Sequence, residues 1–342
     1  MQTKVSEPVR GAPQPETKQA GGCDTIDVMP HLDEVRLMTK VARMYYDQGL
    51  RQKEITERLS IHQSTVSRLL QRARQAGVVR ITVSTPSGIF SEIEDALERT
   101  FGLKEAIVIE SRSSEEHLVQ DLGTAAAFFL QTTVKPGDMI GISSWSRALF
   151  AMVDSMHSSD CARGGKVVQI LGGFGIAGTQ YQATHLAQRL AERIGATPAL
   201  LQAPALVGTA EARRVLMRDS SVSAVADMFP KLNLALVGIG GMEPSRILVS
   251  SGNTFSAKER EALRQAGAVG DICFRFFDRS GKALRSPLNN RVVGIDLATL
   301  EHIDRVVGIA GGPDKRIAIH AALLARRVNV LITDFDTAKS FL

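Results

Sequence analysis

Cysteine is scarce: three residues, Cys23, Cys161 and Cys273, stand far apart, with no CxxC pair and no histidine at metal-ligand spacing. That pattern argues against a disulfide framework and a zinc site, and a reducing cytoplasm is the natural setting. Long apolar runs are absent, so no segment reads as a membrane span, and the N-terminus has no apolar signal core. Catalytic signatures are missing too. The seven histidines are scattered, there is no Gly-x-Ser-x-Gly elbow or P-loop, and Gly238-Ile239-Gly240-Gly241-Met242 lacks the spacing of a dinucleotide fingerprint. No metal and no cofactor are expected, and no internal repeat is visible.

What is present fits a globular protein of two or three domains: 342 residues, 44% hydrophobic and 23% charged. The net charge of +5 is unevenly placed. Between Leu50 and Arg80 seven basic residues (Arg51, Lys53, Arg58, Arg68, Arg72, Arg74, Arg80) face only Glu54 and Glu57, an excess equal to that of the whole chain. A basic island on a neutral body suits local contact with phosphates.

That island has a helical pattern. Ile55 and Leu59 lie four apart, Val66, Leu69, Leu70 and Ala73 fall on one face of a second segment, and Ser60-Ile61-His62 leaves room only for a tight turn. The pattern predicts a helix-turn-helix, whose second helix offers its N-terminal part to base edges. Gln63, Ser64, Thr65, Ser67, Arg68 and Arg72 on that helix, with Gln52 opening the first, are the candidate DNA-binding residues. His62 has a surface or capping role in the turn, and Val78 to Val83 reads as a wing strand.

Residues 1–30, rich in Pro, Gly, Gln and charge, cannot bury enough apolar surface to offset ordering and read as a disordered tail. Asp33 to Asp47 carries an apolar stripe and predicts a third helix for a DNA-binding domain over 31–85. Ser84-Thr85-Pro86-Ser87-Gly88 marks a boundary. Ile89 to Phe101, with Ile93, Leu97 and Phe101 at helical spacing, predicts a connector helix within 86–103 that also suits subunit contacts. From 104 to 342, strand-like and helix-like segments alternate, as in an α/β domain with a largely parallel sheet. The expected strands include Ala106 to Ile109, Met139 to Ile142, Lys166 to Leu171, Ala199 to Gln202, Leu232 to Gly238, Gly270 to Phe276, Val292 to Ile295, Arg305 to Ala310 and Asn329 to Ile332.

In such sheets ligands bind beyond the carboxyl ends of the strands. Ser143-Ser144-Trp145-Ser146-Arg147 follows one strand and opens a helix, which makes it either an anion or polyol site or a plain serine cap. Gly172-Gly173 follows another strand, and Gly311-Gly312-Pro313-Asp314-Lys315 puts a lysine in the first turn of a helix, where it opposes the dipole. A phosphate contact and a salt bridge both account for that lysine.

Taken in order, VARMYYDQGLRQKEITERLSIHQSTVSRLLQRARQAGVVRI, KPGDMIGISSWSRAL, LALVGIG, AGAVGDICFRFFD, SPLNNRVVGI and GIAGGPDKRIAIHAALL resemble the SorC family of bacterial transcriptional regulators, also grouped with DeoR-type sugar-responsive repressors. The resemblance covers nearly everything from Asp33 to Leu342. It implies an N-terminal (winged) helix-turn-helix followed by a larger α/β sugar-binding domain similar to the sugar-phosphate isomerase and CoA-transferase fold. The implied partners are double-stranded operator DNA, a small sugar, polyol or sugar-phosphate effector, and further copies of the chain in a dimer or tetramer, with no membrane. The implied effector pocket comprises Ser143, Ser144, Ser146, Arg147, Gly172, Gly173, Gln182, Asp271 and Lys315. Asp271 would accept hydrogen bonds from ligand hydroxyls, and Lys315 with the serine loop would hold the most polar end. Ala148 stands where many members carry a threonine, so one phosphate donor is missing and a bisphosphate is not expected. The isomerase-like domain also implies a rival, a sugar-phosphate enzyme carrying a DNA-binding domain, for which the chain offers no clear acid/base pair.

Overall fold

The computed structural model describes residues 32–80, 88–173, 180–243 and 255–342, the side chains of 180–183 excepted. The chain divides into two compact units, Met1–Ser84 and Thr85–Leu342. The expected tail over 1–30 and the wing residues Ile81–Val83 lie outside the described residues, and Val78–Arg80 form no strand.

In the first unit, α1 (Leu32–Tyr46), α2 (Gln52–Leu59) and α3 (Gln63–Gln75) enclose one small core. Met38, Val41 and Ala42 of α1 meet Ile55 of α2 and Val66, Leu69, Leu70 and Ala73 of α3. Ser60 ends α2 in the left-handed region (φ 54) and its N–H donates to the Thr56 carbonyl, which reverses the chain within three residues. His62 is the N-cap of α3 by its backbone alone; its side chain makes no capping bond. Arg74 Nε donates to the Tyr46 hydroxyl at 2.8 Å, and Arg72 pairs with Glu34, so two side chains of α3 bind it to α1.

The second unit is an α/β layer structure. Seven parallel strands lie in the order β1-β9-β8-β5-β2-β3-β4. They are β1 (Glu105–Ile109), β2 (Met139–Ile142), β3 (Lys166–Gln169), β4 (Thr197–Ala199), β5 (Leu234–Gly238), β8 (Arg305–Ile309) and β9 (Val330–Asp334). The central strands are near-continuous apolar runs because helices cover both faces. On one face α5 (Glu115–Thr133), α6 (Arg147–Ser155) and α7 (Gln180–Ile194) pack Leu122, Leu130, Leu149, Met152 and Leu190 against Ile140, Ile142, Leu236 and Ile332. The other face carries α4 (Ser91–Phe101), α10 (Ala257–Gln265), the short α11 (Leu297–Leu300), α12 (Arg316–Leu324) and α13 (Phe335–Lys339). Two further helices, α8 (Ala210–Arg218) and α9 (Ser220–Ala226), precede β5.

Three expected strands take other forms, and the helix expected within 86–103 is present as α4, packed on the sheet. Gly270 to Phe276 is not one strand but a hairpin, β6 (Gly270–Ile272) and β7 (Arg275–Phe277), outside the main sheet. Its turn residues Cys273 and Phe274 both have positive φ (53 and 60), and the Asp271 carboxylate accepts the Phe274 N–H at 2.9 Å. A local side-chain bond thus wins over the strand propensity of the apolar run. Val292 to Ile295 joins no sheet as a named strand; its backbone bonds singly to Ala205, Ile170 and Gly172 and so ties three loops together. The strand near Ala199 is Thr197–Ala199, shifted toward the N-terminus of the expected run. The helix expected as a connector lies on the sheet: Leu97 is fully buried, and Glu98 and Glu94 accept the N–H groups of Ala106 and Val108 at 2.9 and 2.8 Å. These carboxylates satisfy the outer edge of β1, while Pro198 blunts the opposite edge strand β4.

Candidate functional site

In the first unit, Gln63, Ser64, Ser67 and Arg68 of α3 are exposed, Thr65 is half-buried, and Gln52 is half-buried at the start of α2. No ion pair or hydrogen bond engages the Arg68 guanidinium among the described residues. Arg72 is half-buried. Around the helix it falls between Arg68 and the buried Leu69, and its guanidinium turns to Glu34 of α1. Gln71, which the sequence reading passed over, is exposed one turn beyond Ser67 and Arg68. Its i+4 and i+3 spacing from those two residues was the available signal.

In the second unit Ser146, Asp271 and Lys315, three of the candidates, come together at the carboxyl ends of the strands. The chain leaves β2 toward β3 on one side and leaves β5 toward β8 on the other, so the sheet reverses its winding direction between β2 and β5. Crevices outside the carboxyl ends at such a point are where open α/β sheets bind ligands. The Ser143–Arg147 loop leaves β2 here, and Gly238–Met242 leaves β5 beside it, with Ser146 lying over Gly238. The β6–β7 hairpin is bound to the same place, since Asp271 and Gly240 exchange both backbone hydrogen bonds at 2.9 and 3.1 Å. A Cβ at Gly240 would meet the Asp271 carboxylate, which would have to shift to admit it. From the end of β8 come Gly311, Gly312 (φ 93) and Lys315.

The electrostatics of this crevice are unusual. Burial lifts Asp271 to about 6, against the opposing pull of the Phe274 N–H and the Lys315 charge. Burial likewise lowers Lys315, with Glu115 and Asp271 raising it and Arg147 lowering it. Arg147 Nη1 reaches Glu115 Oε1 at 2.6 Å, so the cation of the loop is held by the first turn of α5. A partly desolvated carboxylate near a partly desolvated ammonium can accept from hydroxyls on one side and balance an anionic group on the other.

The remaining candidates divide. Ser144 turns into the framework: its Oγ donates to the Leu171 carbonyl at 2.7 Å and accepts from Gln169 Nε2 at 3.2 Å. Ser143 is buried beside Cys273, whose thiol burial pushes up to about 12. Gly172 is glycine because the backbone of Ala203 and Pro204 passes against it, and its carbonyl accepts Trp145 Nε1 at 3.2 Å. The Gly173 N–H donates to Ala203 at 3.0 Å. Gln182 lies in the first turn of α7, and its side chain falls outside the described residues. Glu115, Gly240 and Cys273 lie at the same place without having been candidates: the glycine run after β5 fails only as a dinucleotide fingerprint, and nothing local in the sequence marks Glu115 or Cys273. No group of three or more His, Cys, Asp or Glu side chains is positioned to hold a metal among the described residues. No helix among them is long and apolar enough to cross a membrane.

A seven-stranded parallel sheet with a switch point at its strand ends is the framework of an α/β ligand-binding domain. The family described as "Putative sugar-binding domain" matches residues 88–342. The chain is 33% identical over 309 residues to the deoxyribonucleoside regulator of Bacillus subtilis, covering 90% of this chain and 97% of that protein. It is 32% identical over 319 residues to the sorbitol operon regulator of Klebsiella pneumoniae, covering 92% of this chain and all (100%) of that one. The crystal structure of full-length SorC from Klebsiella pneumoniae superposes with a TM-score of 0.67 at 31% identity, over 90% of this chain and 99% of the other. The chain therefore belongs to the SorC/DeoR-type family of sugar-responsive transcriptional regulators.

Proposed function

We propose that this protein grips a specific operator through the exposed face of α3 and that a small polyol or sugar, free or singly phosphorylated, bound in the β2–β5 crevice changes that grip. The observation that carries the reading is the meeting of three separate stretches at one point of the sheet: Ser146 lies over Gly238, Asp271 is bonded to Gly240, and Gly241 lies against the loop of Asp314 and Lys315, with Asp271 and Lys315 near enough to bias each other's charge. Asp271 recognises hydroxyls; Lys315, with Ser146 and Arg147 nearby, holds the polar or phosphorylated end. Ser143, Ser144, Gly172 and Gly173 shape the pocket from behind through the bonds they make to the framework. Relatives named for sorbitol, deoxyribonucleosides and erythritol favour this ligand class.

On the DNA side, Gln63, Ser64, Ser67, Arg68 and Gln71 read base edges, with Gln52 and Thr65 at the margin. Arg72 fixes α3 against α1 and contributes charge only. Because one such helix covers a half-site, the working form is a dimer or tetramer acting in the cytoplasm, with half-site centres roughly 34 Å or a multiple apart. No turnover of the effector is required by this scheme. The test is a thermal-shift screen of sorbitol, erythritol, deoxyribose and their monophosphates, followed by operator binding with and without each hit. Stabilisation by one compound together with a changed operator Kd is the expected result; conversion of that compound by the purified protein would favour the enzyme reading instead.

A further inference from the structure

The Lys315 loop and the beginning of α4 lie at the two ends of one continuous set of contacts. At one end, the Gly312 N–H donates to Asp334 Oδ1 at 2.7 Å and to Thr337 Oγ1 at 3.1 Å. Gly311 lies so close to the same carboxylate that a Cβ would strike it. Asp334 is only 3% exposed and its other oxygen is also engaged, accepting the Thr337 N–H at 3.1 Å and the Ser111 hydroxyl at 3.3 Å. It ends β9 and caps α13. A buried carboxylate with this many donors has little freedom to shift unless its partners shift as well.

The next residue is Phe335, whose ring packs on Phe90 with centroids 4.7 Å apart. Phe90 is the N-cap of α4, and its carbonyl accepts the N–H groups of Ile93 and Glu94 at 2.9 and 3.0 Å. It stands six residues beyond Ser84, where the first unit ends. The loop that carries Lys315 is therefore bonded to the residue preceding Phe335, and Phe335 packs on the residue that starts the first helix of the second unit.

We propose that Asp334 and Phe335 are positioning residues that convert occupancy of the Lys315 loop into a change at the start of α4, and so into altered DNA binding. This rests on the effector reading given above. A ligand group that draws on Lys315 pulls at the Gly312 amide three residues away; the rigid cap at Asp334 passes the displacement to the Phe335 ring, and Phe90 follows. A ligand shifts DNA affinity only if it favours one of two arrangements, and this joint is where the arrangements differ.

The test uses the full chain and the single tryptophan, Trp145, which lies in the Ser143–Arg147 loop with its Nε1 donating to the Gly172 carbonyl, and its fluorescence is the readout of occupancy. The probe is whichever of sorbitol, erythritol, deoxyribose or their monophosphates shifts that signal at lowest concentration. In Phe335→Leu the probe's Kd stays within about twofold of wild type, while the ratio of operator Kd with and without probe falls to within about twofold of one. Phe90→Leu does the same, and the double variant is no worse than either single one, because both remove one contact. An unchanged ratio, a loss of ratio that only tracks lost probe affinity, or additive losses would overturn the proposal. Should no probe move Trp145 or raise the melting temperature, the effector reading fails, and hydrogen exchange then judges the joint alone. Asp334→Asn is expected to speed exchange at Gly312 and also at Ile93 and Glu94; an effect confined to Gly312 and Thr337 would refute it.

Discussion

Replacing Asp271 by asparagine separates the charge of this residue from its hydrogen-bonding role. Asparagine keeps an oxygen that can accept the Phe274 N–H, so the hairpin turn retains its anchor. What is lost is a buried negative charge. Burial raises the carboxyl from its ordinary 3.8 to about 6. A difference of about two units corresponds to about 3 kcal/mol by which the ionised form opposes folding at pH 7. Because the folded value lies above the unfolded one, the cost is fully present above about pH 6 and fades as pH falls toward 3.8. Asp271→Asn should therefore stabilise the second unit at pH 7 by up to about 3 kcal/mol, and by about half as much at pH 5. For a unit of this size that is a rise in Tm of roughly 5 °C at pH 7, shrinking to roughly half at pH 5. The assay is thermal denaturation of wild type and variant in parallel across that range. A variant less stable than wild type at pH 7, or a difference that does not change with pH, would refute the reasoning. The same substitution should abolish the operator response to a polyol while operator binding without effector survives, as expected where a site keeps a costly charge for recognition.

Arg68→Ala should weaken operator binding by about 1–3 kcal/mol in gel-shift titrations while leaving a scrambled duplex nearly unaffected, as a bidentate base contact requires. Arg72→Ala should lower the melting temperature of the first unit slightly, since its pair with Glu34 is partly exposed and such pairs are worth at most about 1 kcal/mol, and should weaken both duplexes alike. Gly240→Ala drives a methyl group into the Asp271 carboxylate and should remove effector binding, measured by Trp145 fluorescence, without changing the affinity for operator alone. Lys315→Met should cost a phosphorylated effector at least tenfold in Kd by calorimetry and an uncharged polyol far less, because a lost cation in a partly buried site is worth about 1.5–3 kcal/mol to an anion.

How much of this was legible in the chain depends on the range over which each feature is decided. The three helices of the first unit, the long α5 and the apolar strands at β2, β5, β8 and β9 follow from local periodicity, because a helix stripe or a buried run must be present in consecutive residues to pack at all. The serine loop after β2 and the glycines with Lys315 after β8 could be singled out for the same reason: a strand followed by a helix start is a local pattern. Family likeness then supplied the grouping of those stretches with Asp271.

Tertiary structure decided the rest. The apolar run Gly270 to Phe276 does not look like a hairpin until Asp271 is seen to hold the Phe274 amide in a turn with two positive φ angles. Arg68 and Arg72 are equivalent in sequence, both arginines one helical turn apart, yet one faces solvent and the other Glu34, a residue 38 positions away. Ser143 and Ser144 belong to the same polar loop as Ser146, but the approach of Leu171 and Cys273 turns the first two into framework. Glu115 enters the crevice only because α5 starts beside the loop that follows β2. Helix and strand patterns are set by neighbours along the chain, whereas the fate of a polar side chain is set by whichever distant backbone group or charge folding brings within hydrogen-bond reach, and no local spacing encodes that.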